Sequence, residues 1–460
     1  MLKTHGSFQQ RSFFDALIED ALKANPLLSK IDAVLAELPH LLDPFVAAYE
    51  TDRAQRGVDT SFGRPTIPVA SIVRLILLKH LHKNCTLRDV ESRTKTDYAW
   101  KGFAKLSLTD KVPDHTALNK WELFFGEQSI QKLHSQIIRY CTREKIVKGA
   151  KLRTDSTVAP AHIHYPTDAS LLADAVRVIT RTVQKVKHIV RLKTVFRSRM
   201  KIVKEKIRAI GSSLKKRTGE AKSSVKTMTR EILAITQTVV DRARMVRDEL
   251  NSTGTLKTLC AEQSLDHFTD LAQKLIHQTR KALAKEPIRN RIVSIFQPSM
   301  RPIVKGKLWP PCEFGRKVQV DEVEHGIISS WRIFATNRAD AKTAVSAINR
   351  HKRRFGHDPT LFATDRGYDS QENQDILTSR IPRVSIPHRG YKTKQRLRTE
   401  KSRWFQKAQH WRAAGEATIS VLKRTSAMGL NRAKTEFGYL QNIGWGIIGR
   451  NLKTIAALSG

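Results

Sequence analysis

One strand-like segment constrains this chain more than any other. Residues 146–160, IVKGAKLRTDSTVAP, hold a glycine, then Leu152, Val158 and β-branched threonines, and stop at Pro160, which reads as a strand. Alternation of that kind resumes at 313–335, EFGRKVQVDEVEHGIISSWRIFA, with a turn near Glu324-His325-Gly326. A lone strand is not stable in water. The first strand must therefore be completed by partners beyond a long helical stretch, and the pattern predicts a β/α/β core interrupted by an insertion.

The rest of the chain fills in this outline. DAKTAVSAINRHKRRFG (340–356) reads as a helix closed by glycine. TLFATDRGYDS (360–370) reads as strand then loop, and QENQDILTS as a helix that Asp369 caps with Glu372 three residues on. The last 60 or so residues read mainly as helices. Before the first strand, PVASIVRLILLKHLH (68–82) has a broad apolar face, and Asp114 can cap a helix that buries Leu118, Leu123 and Phe124 and exposes Lys120. Short helices on tight connections suggest either a helix-turn-helix-like module or an ordinary bundle. The expected domains are 1–145, helical and DNA-binding or oligomerising; 146–166, the first core strand; 167–300, a basic helical insertion; and 301–460, the remainder of the core.

Charge sets the class of partner. Lys+Arg number 82 against 43 Asp+Glu, a formal charge of +39 and a pI near 10.4, which favours approach to a polyanion, nucleic acid above all. Residues 181–220 alone hold 14 Lys+Arg against Glu205 and Glu220. The periodic Val, Ile and Leu of VKHIVRLKTVFRSRMKIVKEKI predict long helices there. Four cysteines, Cys85, Cys141, Cys260 and Cys312, lie far apart and form no CxxC pair, as expected of reduced structural thiols in the cytoplasm. No apolar run approaches the roughly 20 residues of a membrane span. The opening residues MLKTHGSFQQRSFFDAL lack an uninterrupted apolar stretch, so no export is expected.

Three acids stand out. Asp365 lies where the apolar run Leu361-Phe362-Ala363 gives way to a glycine-containing loop, and Asp155 lies near the end of its own strand. Functional groups gather at the carboxyl ends of strands in open α/β sheets, so the two acids would meet if those strands are neighbours. In QHWRAAGEATISVLKR (409–424), Arg412, Glu416 and Lys423 fall at about 0°, 40° and 20° on a helical wheel. Trp411, Ala414, Thr418, Val421 and Leu422 fall opposite and would pack on the sheet. Taken alone, the pair Arg412–Glu416 is also an ordinary i, i+4 ion pair. Together, three carboxylates can bind a pair of Mg²⁺ ions through oxygen, and two metals about 4 Å apart clamp the attacking and leaving oxygens of a phosphoryl displacement.

At these residues the chain resembles bacterial insertion-sequence DDE transposases of the IS-four/IS-five superfamily. RTDST, ATDRGYDS and the segment around Glu416 are similar to that family's three acidic motifs, and Arg412-x3-Glu416-x6-Lys423 to the R-E-K part of its Y-x2-R-x3-E-x6-K signature. The signature's tyrosine position holds Gln409. GRPTIPVASIVRLILLKHLHKNCTLRDVESRT, VPDHTALNKW and the closing GLNRAKTEFGYLQNIGWGIIGRNLKTIA also resemble family segments. The resemblance implies an RNase H-like mixed sheet flanked by helices, with a helical N-terminal domain and a basic insertion after the first core strand. It implies metal-dependent strand cleavage and 3′-hydroxyl transfer at an element's ends. Asp155, Asp365 and Glu416 would be catalytic and would hold two Mg²⁺, with Mn²⁺ as a substitute, and Arg412 and Lys423 would contact DNA phosphates. The implied partners are duplex DNA, as terminal inverted repeats and target, and further copies of the chain, at least a dimer. The implied location is cytoplasmic, at the nucleoid and away from membrane. A Mg²⁺-dependent endonuclease without strand transfer and a catalytically silent DNA-binding descendant remain alternatives.

Other residues invite a role and receive a plainer one. His162 and His164 have no third His or Cys beside them, which argues against zinc. Asp174, Asp369 and Glu372 are nearby acids that could be confused with ligands, and Ser156 has no evident base. Trp404 and Trp411 read as packing anchors, or as stacking platforms for a splayed base. The lysine and arginine beside Asp155, Lys151 and Arg153, fit a strand that approaches DNA.

Overall fold

The computed structural model describes residues 2, 4, 15–57, 66–216, 218–251, 256–304, 312–425, 428–429, 431 and 433–459. Most of the opening segment lies outside them. The chain forms two compact units, residues 1–162 with 315–460, and residues 163–314. The expected insertion 167–300 falls inside the second, whereas the N-terminal helices and the sheet share the first.

The first unit begins with α1 (Asp15–Lys23), α2 (Pro26–Ala36), α3 (Asp43–Gln55), α4 (Val69–Leu81), α5 (Leu87–Thr96), α6 (Tyr98–Phe103) and α7 (His115–Arg143). Asp114 caps α7 by accepting from the backbone N–H of Thr116 and Ala117, as its sequence predicts. Leu118 is buried and Lys120 exposed, but Phe125 takes the buried place expected of Leu123 and Phe124, which stay half-buried. The helix breaks at Gly126, whose φ is 72°. α4 is buried on nearly every side, which is why its residues show a broad apolar face.

β1 (Lys151–Pro160) ends this run. The second unit holds α8 (Asp168–Lys187), α9 (Met200–Lys215), α10 (Gly219–Asn251), α11 (Leu256–Leu283) and β2 (Arg301–Val304). Its core is drawn from the apolar stripes of α8, α10 and α11, among them Ile179, Val183, Val240 and Leu275. The helical pattern expected through 181–220 is interrupted: residues 188–199 are not helical. There the backbone N–H groups of Lys193 and Thr194 donate to Glu249, and Phe196 turns inward, which gives the backbone partners other than a helix.

The chain returns through β3 (Cys312–Glu322), β4 (Ile328–Ile333), α12 (Ala344–Phe355), β5 (Leu361–Ala363), α13 (Gln371–Thr378), β6 (Arg383–Ser385), α14 (Lys394–Lys401), α15 (Arg403–Thr425) and α16 (Glu436–Leu458). Within the first unit the sheet runs β4-β3-β1-β5-β6. β3 is antiparallel to both β1 and β4, and β5 is parallel to β1 and to β6. The architecture is thus mixed α/β, a mixed sheet flanked by helices. Helix α15 packs across β1, β5 and β6, and α16 closes on α2, α4 and α7. Trp445 of α16 is fully buried and stacks on Phe45 and His80, with centroids 6.0 and 6.3 Å away.

α13 is capped by Ser370, whose hydroxyl accepts from the N–H of Asn373. Asp369, expected in that place, instead accepts from the N–H of Arg389 and from His388 and Gln374. A shorter side chain one residue nearer the helix wins the cap, and the aspartate is left to tie down the loop after β6.

Candidate active site

Parallel pairing decides where the two strand-borne acids stand. The rungs between β1 and β5 run Lys151–Leu361, Leu152–Phe362 and Arg153–Ala363. Asp155 lies two residues past the last rung on one strand and Asp365 two residues past it on the other. Side chains alternate along a strand, so both acids belong to the face that carries Arg153. Asp365 lies just past the end of β5, but Asp155 stands in the middle of β1, not near its end as expected, because β3 keeps that strand paired as far as Pro160.

Each acid has a local anchor. Asp155 Oδ1 accepts from the N–H of Ser156 at 2.7 Å, and Asp365 Oδ1 from that of Gly367 at 2.8 Å. Burial pushes the Asp155 carboxyl up to about 6; the Ser156 N–H and Arg412 oppose this, while the charges of Asp365 and Asp340 add to it. On the other face, the Ser156 hydroxyl meets the Tyr368 hydroxyl at 3.0 Å. Tyr368 is buried, and burial raises its phenol well above the usual range. That contact joins the strand carrying Asp155 to the turn that follows Asp365.

Helix α15 is fixed over this edge by two sets of contacts. The Gln409 amide donates to the carbonyl oxygens of Thr364 and Ser385, at 3.2 and 2.9 Å, and to the Ser385 hydroxyl at 2.9 Å. Gln409 thus takes a structural role at the position where the signature has tyrosine. Arg153 donates to the Trp411 carbonyl and to Glu322, and its guanidinium lies 4.8 Å from the centroid of the Trp411 ring. It is 7% exposed. Arg153 therefore does not approach DNA as its sequence context suggested: the partner that neutralises it, Glu322, stands opposite on β3. Trp411 is a packing residue on that cation.

The packed face of α15 is offset from the predicted one. Thr418 and Leu422 are buried as expected, but Ala414 is exposed and Gly415 takes the close contact with β1. Arg412 and Glu416 form an ion pair at 3.0 Å, with side chains 18% and 66% exposed. Lys423 is half-buried in the last turn.

The described residues therefore bring Asp155 and Asp365 together, with the charge of Arg412 felt at Asp155, while Glu416 is turned to Arg412. No group of three or more His, Cys, Asp or Glu among the described residues is placed to hold a metal ion. Of the three acids, Asp155 and Asp365 are the two whose charges act on one another. His164, discounted above, pairs with Asp174 at 2.8 Å.

Four residues escaped the sequence reading. Asp340, after β4, adds its field to Asp155 while pairing with Lys317 at 2.8 Å. Tyr368 stood in plain view within ATDRGYDS. Glu322 and Gly415 carried no local signal, because each matters only through Arg153.

Residues 16–122 match a family model described as Transposase domain (DUF772). No curated protein and no solved structure matches the chain. The matched segment runs from α1 into the first half of α7 and contains none of the three acids. It supports a transposase, acting on DNA in transposition. Among the described residues no helix is long and apolar enough to cross a membrane.

Proposed function

We propose that this chain is a DDE transposase that cleaves DNA strands at the ends of an insertion sequence and transfers the freed 3′-hydroxyl to target DNA. The observation that carries the reading is the equal offset of Asp155 and Asp365 beyond the last β1–β5 rung. Three antiparallel strands continued by two parallel ones, with a helix laid across the parallel ends, support an RNase H-like core. The transposase match in the N-terminal helices supports the substrate.

The donor chemistry fits a hard divalent cation. Two aspartates borne on neighbouring strands offer oxygen ligands, and Asp155, held near half-protonation at about pH 6 by burial and by its neighbour, gains from a positive charge there. When bound, Mg²⁺ supplies an activated water or hydroxyl nucleophile and neutralises charge on the phosphate. Asp155 and Asp365 would hold the ion, and Glu416 would complete the site by leaving Arg412. The released guanidinium of Arg412 then donates to a phosphate near the scissile bond, a task for which its planar fork is suited, and Lys423 adds charge from the last turn of α15. Gln409 and Arg153 bind no substrate; they keep the helix on the sheet.

Asp155→Ala, Asp365→Ala and Glu416→Ala should each abolish strand cleavage while binding to element ends persists. Intact cleavage in any one removes that residue from the site. Labelled ends incubated with a target plasmid separate the transposase from a simple nuclease, which yields no joined product. The ion pair Arg412–Glu416 is the feature that favours a silent binder, and indifference of both binding and cleavage to Mg²⁺ and Mn²⁺ would decide for it.

A further inference from the structure

The second unit is electrically lopsided. Residues 177–230 hold 18 Lys+Arg against Glu205 and Glu220, whereas residues 231–270 hold seven acids against four Lys+Arg. Apart from Lys216 and Arg217, the first set lies on the second half of α8, the connector 188–199, α9 and the start of α10; the second lies on the rest of α10 and the first half of α11.

Helix α9 sharpens this asymmetry into a surface. Val203 and Ile210 are buried against the unit, on one side of the helix. Lys201, Lys204, Arg208 and Lys215 are exposed, and at 100° per residue they fall within an arc of about 60° on the opposite side. Glu205 is the one acid in the helix. The connector before it adds exposed Arg191, Lys193, Arg197 and Arg199. Its backbone is held by Glu249 at Lys193 and Thr194, and the Lys187 ammonium donates to the Phe196 carbonyl at 3.2 Å. Among the described residues none of these eight cations is ion-paired; the α9 cation that is, Lys206, pairs with Glu231 from another side of the helix.

A row of unneutralised cations on a rigid helix has a self-repulsion cost that a polyanion relieves. We infer that the exposed face of α9 with the connector 188–199 is a grip for the phosphate backbone of duplex DNA, independent of sequence. The helix is roughly 24 Å long at 1.5 Å per residue, enough to follow several phosphates along one groove edge. A membrane surface would need an apolar face to insert, and the aligned apolar residues of α9, Val203 and Ile210, are buried inside the unit, leaving Ile202 and Leu214 exposed singly, before and after them in the helix. The inference rests on the reading that the chain acts on DNA and gives the inserted unit its part in it: holding duplex by its phosphates.

The test uses the full chain in EDTA, with a duplex of arbitrary sequence and Kd measured across roughly 50–200 mM salt, where phosphate contacts dominate the dependence. The variant Lys201→Gln/Lys204→Gln/Arg208→Gln/Lys215→Gln should weaken binding at least tenfold at the low-salt end and reduce the slope of log K against log [salt] by about 3–4, near 0.9 per contact. The exchange Lys201→Arg/Lys204→Arg/Arg208→Lys/Lys215→Arg should keep both. An unchanged slope in the glutamine variant overturns the grip. So does equal loss in the exchange variant, which would mark a structural effect, or a loss of binding to phosphatidylserine-containing vesicles with none to DNA. Nicking assayed separately in Mg²⁺ tells the two readings apart. A chain that grips but never cuts sinks the catalytic proposal alone, and one that cuts with an unaltered slope sinks the grip alone.

Discussion

The side chain of Arg153 occupies the space that a methyl group on Gly415 would need. A Cβ built at Gly415 would stand 2.9 Å from Arg153 Nε and 3.1 Å from its Cδ, and Arg153 is not free to yield because Glu322 and the Trp411 carbonyl hold its guanidinium. In an unobstructed helix, glycine to alanine gains up to about 1 kcal/mol. Here Gly415→Ala should instead cost about 1–3 kcal/mol, as overpacking does, and should lift the segment that carries Arg412 and Glu416. Thermal unfolding and DNA nicking both read it; a stabilised, fully active Gly415→Ala would show that the contact is slack.

Gln409→Ala should lower stability by about 1–2 kcal/mol, since it takes a donor from the carbonyls of Thr364 and Ser385, both fully buried, although Ser385 keeps the Thr364 N–H. Thr364 immediately precedes Asp365, so nicking should fall with it. Urea denaturation of the purified variant is the measurement, and an unaltered midpoint would mean that α15 is held by Arg153 alone.

Asp155 gives the pH dependence. Its carboxyl titrates at about 6 in the folded chain, above its ordinary 3.8, so the neutral form is favoured on folding. Stability from this group is complete below about pH 4 and is lost as pH rises through 6, a difference of about 3 kcal/mol for the charged form. In EDTA at pH 7.5, Asp155→Asn should therefore unfold at higher temperature than the parent, and the gap should close by pH 4. Equal midpoints at both pH values would show that Asp155 is solvated when charged.

Glu416→Gln makes the opposite control. Its one described contact is an exposed ion pair, worth little in water, so unfolding should shift by no more than about 0.5 kcal/mol. Cleavage should nonetheless be lost. A large fall in stability would mean that Glu416 is a structural partner of Arg412.

What the sequence could show was what is local. β-branched alternation ended by proline or glycine gave β1, β3, β4 and β5, and the spacing of Asp114 to its helix gave the α7 cap. Pairing is not local: nothing in KLRTDSTVAP says that it lies beside LFATD, so the meeting of Asp155 and Asp365 remained conditional on two strands being neighbours. Arg153 was misread for the same reason, its counter-charge being 169 residues away on β3. The face of α15 was misplaced by one residue because a wheel assigns Ala414 and Gly415 by hydrophobicity, while the sheet selects by how closely an arginine must approach. At Asp369 and Ser370 two capping residues competed, and composition alone could not rank them.

The register of β1 with β3 brings Pro160 opposite Gly315, with Ala159 paired to Arg316. Gly315 is required there, since a Cβ would stand 2.1 Å from the Ala159 carbonyl oxygen. During synthesis, then, the strand bearing Asp155 leaves the ribosome long before its first partner. At about 5–20 residues per second the intervening 161–314 take roughly 8–30 s. The second unit has its own core and the time to form it, while β1 waits with unpaired edges exposed. Helix α16, which emerges later still, is the one that seats Trp445 beside Phe45 and His80, so helices made well before β1 are closed well after it. Ribosome-bound chains are thus vulnerable to strand-edge association over that interval, and a chaperone that shields extended segments should raise the yield of this protein more than it does for chains whose partners follow at once.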